Sequence, residues 1–328
     1  MPLRRVAGGG RRAATGKVLE VTRSMIMKRC CTVLVALLLA SGALADWQSV
    51  APGVDFQEFR EEKYDIFVTR IDLTNDAIRV IASRQSEKGT KVSDFAKKVQ
   101  AIAAINGDYF DDKFNPIGMT VGPCGEWDNT KRTKREGYVA IGDGQARIAR
   151  QSEVDPDLSA DEWMEATISG WPALVANCEP LSSTDLPGSD AFTRAPHPRT
   201  AVGLSGDRNT LYFVVADGRR TGVPGVTLPQ LASFMAGRLH VCSAINFDGG
   251  GSSAMWVADR IVNRPADGVE RPVGDHLAVI FQRDTTPCDA EEEGRLIAAM
   301  KARELKASSV STVTTVTTTT TTVVTKTT

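Results

Sequence analysis

The sequence predicts an α+β fold: a single domain on a large mixed, mainly antiparallel sheet with a few packed helices. Three observations lead there. Strand-patterned segments outnumber helical ones, most successive strands are separated by turns that suit hairpins, and no linker interrupts residues 46–288.

Taken in order, residues 64–73 have a strand-like pattern, and 78–82 reads as the partner strand across the Asn75-Asp76 turn. Residues 93–99 put Phe95, Ala96 and Val99 on one helical face with lysines outside it. The apolar run 101–105 reads as a buried strand that ends in Asn106-Gly107-Asp108-Tyr109-Phe110-Asp111. Residues 138–141 give another strand, leading into the turn Gly142-Asp143-Gly144. The acidic stretch 152–161 reads as a surface excursion, 168–175 returns to the core, and 177–198 is a polar, proline-containing loop. Residues 199–204 and 211–216 form a hairpin about Ser205-Gly206-Asp207.

The next segment has explicit helix punctuation. Thr227 with Gln230 forms a capping box, Leu231, Phe234 and Met235 supply the apolar face, and Gly237 is the expected stop. Residues 241–247 follow as a strand whose expected antiparallel partner is 254–257, and 276–281 is the last core strand. Residues 289–305 suggest a charged helix, and from Ser308 onward the chain is almost all Thr, Ser and Val.

With 42% hydrophobic and 24% charged residues over 328, the chain has apolar mass for a substantial core. Its net charge of −1 argues against a nucleic-acid binder, and the basic cluster Lys131, Arg132, Lys134, Arg135 is flanked by Glu126, Asp128 and Glu136. Lys28 and Arg29 precede a short apolar run at 33–40, and Ala43-Leu44-Ala45 follows. Those are the parts of a secretory leader, with cleavage expected after Ala45 and Met25 or Met27 as alternative starts. The apolar run is too short for a membrane span. The expected organisation is therefore an extension and leader at 1–45, a catalytic domain at 46–288, and a charged helix with a Thr-rich tail at 289–328. A secreted or periplasmic location follows. Cys124, Cys178, Cys242 and Cys288 remain after the leader, an even number with three possible full pairings and no C-x-x-C spacing for zinc.

One echo inside the chain carries chemistry. Ala104-Ile105-Asn106-Gly107-Asp108 and Ala244-Ile245-Asn246-Phe247-Asp248 both read A-I-N-x-D at the end of a buried-type strand. An Asx-turn explains one such ending; two argue for a shared site. Arg199-Thr200 opens a strand, Asp217-Gly218-Arg219 closes the next, and Arg271 precedes the last. Guanidinium groups suit phosphate, and carboxylates serve as proton carriers or nucleophiles. After Asp248 come Gly249, Gly250 and Gly251, whose bare backbone allows close approach to an anion, and the hydroxyls of Ser252 and Ser253. No Walker lysine follows this run.

The motifs NGDYFD, RTAVGLS, ADGR, GVTLPQLASFM, INFDGGGSSAMW and ERPVGDHLAVIF, in this order over about residues 65–282, resemble phosphodiester glycosidase domains. NGDYFD carries Asp108 where relatives often have glycine. The resemblance implies hydrolysis of a sugar-1-phosphodiester, of the N-acetylglucosamine-1-phosphodiester kind, at the anomeric carbon, with a place in envelope or exopolysaccharide metabolism. On that reading Asp248 is the first candidate for nucleophile or base, followed by Asp217 and Asp108. Arg199 and Arg271 hold phosphate with the 249–253 loop, Asn106 and Asn246 orient sugar hydroxyls, and Thr200 and Arg219 bind beside them. No cofactor is expected, while a divalent cation on Asp108, Asp217 and Asp248 stays open as a metal-dependent phosphodiesterase alternative. A non-catalytic envelope glycan binder is the other alternative.

Overall fold

The structure, a computed structural model, describes residues 46–321 apart from 62, 129, 131–136, 151–152, 154–159 and 285–287, and of 284 and 306–321 the backbone only. The expected leader, the basic cluster and most of the acidic excursion lie outside the described residues.

The chain opens with β1 (Gln48–Ala51), β2 (Val54–Arg60) and β3 (Asp65–Asp72), followed by β4 (Ile78–Ala82), helix α1 (Val92–Lys98) and β5 (Ala103–Asn106). Next come β6 (Thr120–Gly122), β7 (Gly125–Glu126), β8 (Gly137–Gly142), β9 (Gln145–Ala149), β10 (Ala166–Gly170), β11 (Ala173–Ala176), β12 (Glu179–Pro180) and the short helix α2 (Asp190–Thr193). The hairpin β13 (Arg199–Ser205) and β14 (Thr210–Ala216) precedes α3 (Leu228–Leu239), β15 (Val241–Asn246), β16 (Met255–Val257), β17 (Arg260–Ile261), β18 (His276–Phe281) and α4 (Ala290–Thr321).

The α+β class is as expected, with the strands divided among three sheets. Their orders are β1-β2-β3-β14-β13-β15-β11-β12, β7-β6-β10-β8-β9 and β17-β16-β5-β18-β4. Every pairing between the described strands is antiparallel.

Two expected pairings are corrected. β3 pairs with β2 and β14, while β4 pairs with β18 in another sheet. The reason lies in β3 itself, which is apolar on both faces: Ile66 and Val68 enter one core, Phe67 and Ile71 the other. Such a strand is at home inside a sheet with layers on both sides. Likewise β16 pairs with β5 and β17 and not with β15, so the glycine loop crosses between sheets instead of closing a hairpin. Helix α3 has its capping box at Thr227 and Gln230, but it runs past Gly237 to a left-handed cap at His240 (φ 55°).

These sheets form layers. On one face of the eight-stranded sheet, Leu228, Leu231, Phe234 and Met235 of α3 pack against Ile66, Val68, Ala201 and Val214. On its other face, Phe67, Val202, Phe213 and Ile245 meet Ile105, Val139, Ile168 and Leu277 from the smaller sheets. Each large side chain buried this way contributes about 1.5–3 kcal/mol. Phe95 and Ala96 of α1 cover the outer face of the third sheet at Ala104, Trp256 and Ala278.

Antiparallel order places the site. Ala201 lies opposite Asn246, Arg199 opposite Ala216, and His276 opposite Asn106. The C-terminal ends of β14 and β15 therefore share an edge with the start of β13, and the end of β5 lies beside the start of β18.

Candidate active site

The two A-I-N-x-D strand ends meet. The Asp248 amide donates to the Gly107 carbonyl at 3.0 Å, and Asn106 Nδ2 donates to the Asp248 carbonyl at 2.8 Å. Asn106 Oδ1 accepts from Thr200 Oγ1 (2.8 Å) and from the Ala254 amide (3.2 Å). One buried carboxamide thus joins β5, β13 and both ends of the glycine loop. Asn246 Nδ2 lies 2.7 Å from Tyr109 Oη, 2.9 Å from the Trp171 carbonyl and 2.7 Å from the Phe247 carbonyl. Both asparagine NH2 groups and Thr200 are therefore hydrogen-bonded within the protein, whereas Asn246 Oδ1 is buried with no hydrogen-bond partner among the described residues. A strand end carries backbone groups with no ladder partner, and the nearest carboxamide satisfies them.

Asp248 follows β15 at the head of the loop, and its Oδ1 accepts from the Gly249 amide at 2.8 Å. Burial pushes its carboxyl above the usual range; the Ser252 hydroxyl, the Gly249 amide and the cations Arg271 and Arg219 act the other way. The glycines have steric reasons. Gly250 has φ +64°, and a Cβ there would come within 3.0 Å of Arg219 Nη2. At Gly251 a Cβ would collide with the Asp267 carboxylate and the Arg271 guanidinium. Two guanidinium groups thus lie against the bare backbone, and Ser252 and Ser253 are buried beside it.

Arg199 is 3% exposed. Its Nε donates to the Val226 carbonyl at 3.3 Å, its Nη2 donates to the carbonyls of Phe192 and Ala195, and its guanidinium lies 5.1 Å from the Phe192 ring centre. Among the described residues it makes no ion pair with a carboxylate. Burial lowers its pKa to about 10; the Tyr109 hydroxyl opposes this shift and the neighbouring charge of Arg219 adds to it. Arg271 is paired with Asp267 at 2.6 Å, whereas Arg219 is exposed and unpaired among the described residues.

Asp217 has another place. Its Oδ1 accepts from Asn263 Nδ2 (3.1 Å) and the Arg264 amide (3.0 Å), and its Oδ2 lies 2.8 Å from Arg220 Nη2. Asn263 also donates to the Ser253 carbonyl. Asp217 therefore supports the glycine loop from behind, and Arg220 offsets its charge. Asp108 donates its amide to Asp275 Oδ1 at 2.8 Å, and its own Oδ1 accepts from the Tyr109 amide.

Two residues of the cluster escaped the sequence reading. Tyr109 Oη donates to the Trp171 carbonyl at 2.9 Å, and burial followed by the charge of Asp248 raises its pKa well above the ordinary phenol value. Asp275 is fully buried beside the Gly107-Asp108 turn. A carboxylate immediately before the apolar run 276–281, in GDHLAVIF, was the available signal.

This chain is a phosphodiester glycosidase family member. Residues 99–280, more than half of the chain, match that family. It is 27% identical over 220 residues to the SPbeta prophage-derived uncharacterized protein YomE of Bacillus subtilis (strain 168), covering 66% of this chain and 34% of that protein. The chain thus spans about a third of the length of that curated relative. The zebrafish N-acetylglucosamine-1-phosphodiester alpha-N-acetylglucosaminidase catalytic domain, auto-inhibited by its pro-peptide, superposes with a TM-score of 0.55 at 18% identity, over 73% of this chain and 84% of that one. A hypothetical protein from Synechocystis does so with a TM-score of 0.51 at 13% identity, over 74% and 65%. At these identities the two structures speak for the fold alone. Among the described residues no group of three or more His, Cys, Asp or Glu side chains is arranged to hold a metal ion, and no helix is long and apolar enough to cross a membrane.

Proposed function

We propose that this chain hydrolyses a sugar-1-phosphodiester, of the N-acetylglucosamine-1-phosphodiester kind, at the anomeric carbon, acting outside the cytoplasm in envelope or exopolysaccharide metabolism. The observation that carries the reading is Asp248 at the head of a glycine loop against which the guanidinium groups of Arg219 and Arg271 lie. Arg199, buried with only neutral carbonyls as hydrogen-bond partners, supports an anion nearby, because a desolvated cation is stabilised most by an opposite charge.

In this reading the phosphate lies over Gly250 and Gly251, within reach of the arginines. The bond between the anomeric carbon and the phosphate oxygen breaks, and its electron pair leaves with the phosphate. Guanidinium charge stabilises that leaving group, so little protonation of it is needed. Asp248 faces the oxocarbenium-like carbon as nucleophile, or takes the proton of the attacking water as base. Either role needs the ionised form. Asp217 and Asp108 act behind it, and Asn106, Asn246 and Thr200 fix the backbone. Two disulfides, Cys124–Cys288 and Cys178–Cys242, favour an oxidising compartment.

The test is release of N-acetylglucosamine and UDP from UDP-N-acetylglucosamine, and of the sugar and its phosphoryl leaving group from related glycosyl phosphates, with and without chelator. Asp248→Asn is expected to lower kcat by at least about a thousandfold with the melting temperature preserved. In the wild type, activity falls as pH drops through the raised pKa of Asp248. Full activity in the variant removes the assignment. Loss of wild-type activity on chelation favours the metal-dependent alternative, and binding without turnover favours a glycan binder.

A further inference from the structure

Asp275 sits where elements of all three sheets come together. It immediately precedes β18 and is 0% exposed. Its Oδ1 accepts from the Asp108 amide at 2.8 Å, and its Oδ2 accepts from Thr120 Oγ1 of β6 at 2.7 Å. Its own carbonyl accepts from the Gly107 amide at 3.0 Å. Gly107 in turn receives the Asp248 amide on its carbonyl, also at 3.0 Å. A Cβ on Gly107 would strike Asp275 Oδ1, so glycine is required for the turn to close on this carboxyl group. A continuous chain of contacts therefore runs from Thr120 through Asp275 and Gly107 to Asp248.

We propose that Asp275 is a positioning residue, whose carboxylate holds the Gly107-Asp108 turn and thereby the backbone that seats Asp248, without meeting substrate itself. This rests on the reaction proposed above. A neutral side chain of the same shape accepts hydrogen bonds less strongly, and a misplaced carboxylate costs rate more than binding. The titratable groups that bear on Asp275 are Asp248 and, on the turn it holds, Asp108; β6 contributes the Thr120 hydroxyl. Burial raises the Asp275 pKa to about 6, the Thr120 hydroxyl and the Asp108 amide lower it, and the charge of Asp248 raises it further. The coupling is mutual, so a charged Asp275 also holds the Asp248 pKa up.

The experiment uses the full chain with UDP-N-acetylglucosamine as probe, reading kcat, KM and the acid limb of kcat/KM in wild type, Asp275→Asn and Thr120→Val. Hydrogen exchange at the Asp108 amide is measured in parallel. Asp275→Asn is expected to lower kcat about tenfold with KM within about twofold, and to move the acid limb to lower pH. Thr120→Val keeps the carboxyl group but removes the hydroxyl that stabilises its ionised form; because the full rate needs Asp275 ionised as well as Asp248, its limb moves to higher pH. Both variants exchange the Asp108 amide faster than wild type. Wild-type kcat with an unshifted limb in Asp275→Asn overturns the proposal, as does unchanged exchange in both variants. If Asp275→Asn does not fold, the limb shift in Thr120→Val decides. If the wild type releases no sugar, the proposed reaction falls, and the exchange measurement still decides whether the carboxylate holds the turn.

Discussion

Gly250 and Gly237 behave oppositely at the residue scale although both are glycines. Gly250 has φ +64°, and a Cβ there would lie 3.0 Å from Arg219 Nη2, so alanine meets backbone strain and a tight contact that pushes the guanidinium aside. Left-handed backbone costs an L-residue about 1–2 kcal/mol. Gly250→Ala is expected to lower stability by about that amount, seen as a drop in melting temperature, and to cut sugar release at least about tenfold by displacing Arg219. Gly237 lies in α3 with nothing near its missing Cβ. Gly237→Ala should add about 0.5–1 kcal/mol of stability through helix propensity and leave activity unchanged. The same contrast governs what could be read in advance. Asp248, the glycines and Arg219 announced themselves because a charged or bare residue at a strand end contradicts the surrounding pattern. The hydrogen-bond partners of Asn106 and Asn246 did not, since an amide facing a ligand and one tying down backbone look alike in sequence. Only the distances to Asp248, Thr200 and Ala254 show that Asn106 is a brace.

Asp275 and His276, adjacent at the start of β18, produce opposing pH effects at the scale of the element. His276 is buried against Phe95, and burial lowers its pKa to about 4. Below about pH 6.5 the unfolded chain binds a proton there that the folded chain does not, so this stability is lost as pH falls toward 4. Asp275 is raised to about 6, and between its unfolded value near 3.9 and that point the folded chain binds the extra proton. Its contribution is therefore present at low pH and lost as pH rises. Each term is on the order of a few kcal/mol, and they nearly cancel between about pH 4 and 6. Asp275→Asn removes one of them. Its melting temperature, followed by calorimetry, should rise more steeply with pH over that window than the wild type's; parallel curves would contradict the assigned shifts. Element legibility follows a similar division. The β13–β14 hairpin, α1 and the N-terminus of α3 were readable because turn residues, face periodicity and the capping box act locally. The partners of β3, β4 and β16 were not, because pairing across sheets depends on which apolar faces find each other. The end of α3 at His240 was hidden because a packed helix tolerates glycine in an exposed turn.

For the whole molecule, the two disulfides constrain different things. Cys178–Cys242 closes 64 residues within the eight-stranded sheet region, whereas Cys124–Cys288 closes 164 and ties the approach to α4 to the β6–β7 turn. On chain-entropy grounds the first contributes about 4 kcal/mol and the second about 5 kcal/mol. Beyond its disulfide, α4 is held by Glu293, which accepts from the Ser86 amide and hydroxyl at 2.8 and 2.7 Å, and by a Lys88–Glu304 ion pair at 2.9 Å. None of these contacts touches Asp248 or the arginines around it. Removing the longer link by the pair Cys124→Ser and Cys288→Ser should therefore lower the melting temperature and make α4 the first segment cut in limited proteolysis. The kcat on UDP-N-acetylglucosamine should stay within about twofold of wild type at temperatures where the fold persists. The Cys178–Cys242 pair lies at the start of β15, whose far end presents Asp248, so its removal is expected to lower stability and activity together. Equal loss of activity in both double variants would mean that α4 bears on the site, and it would tie the C-terminal helix to the chemistry from which the structure separates it.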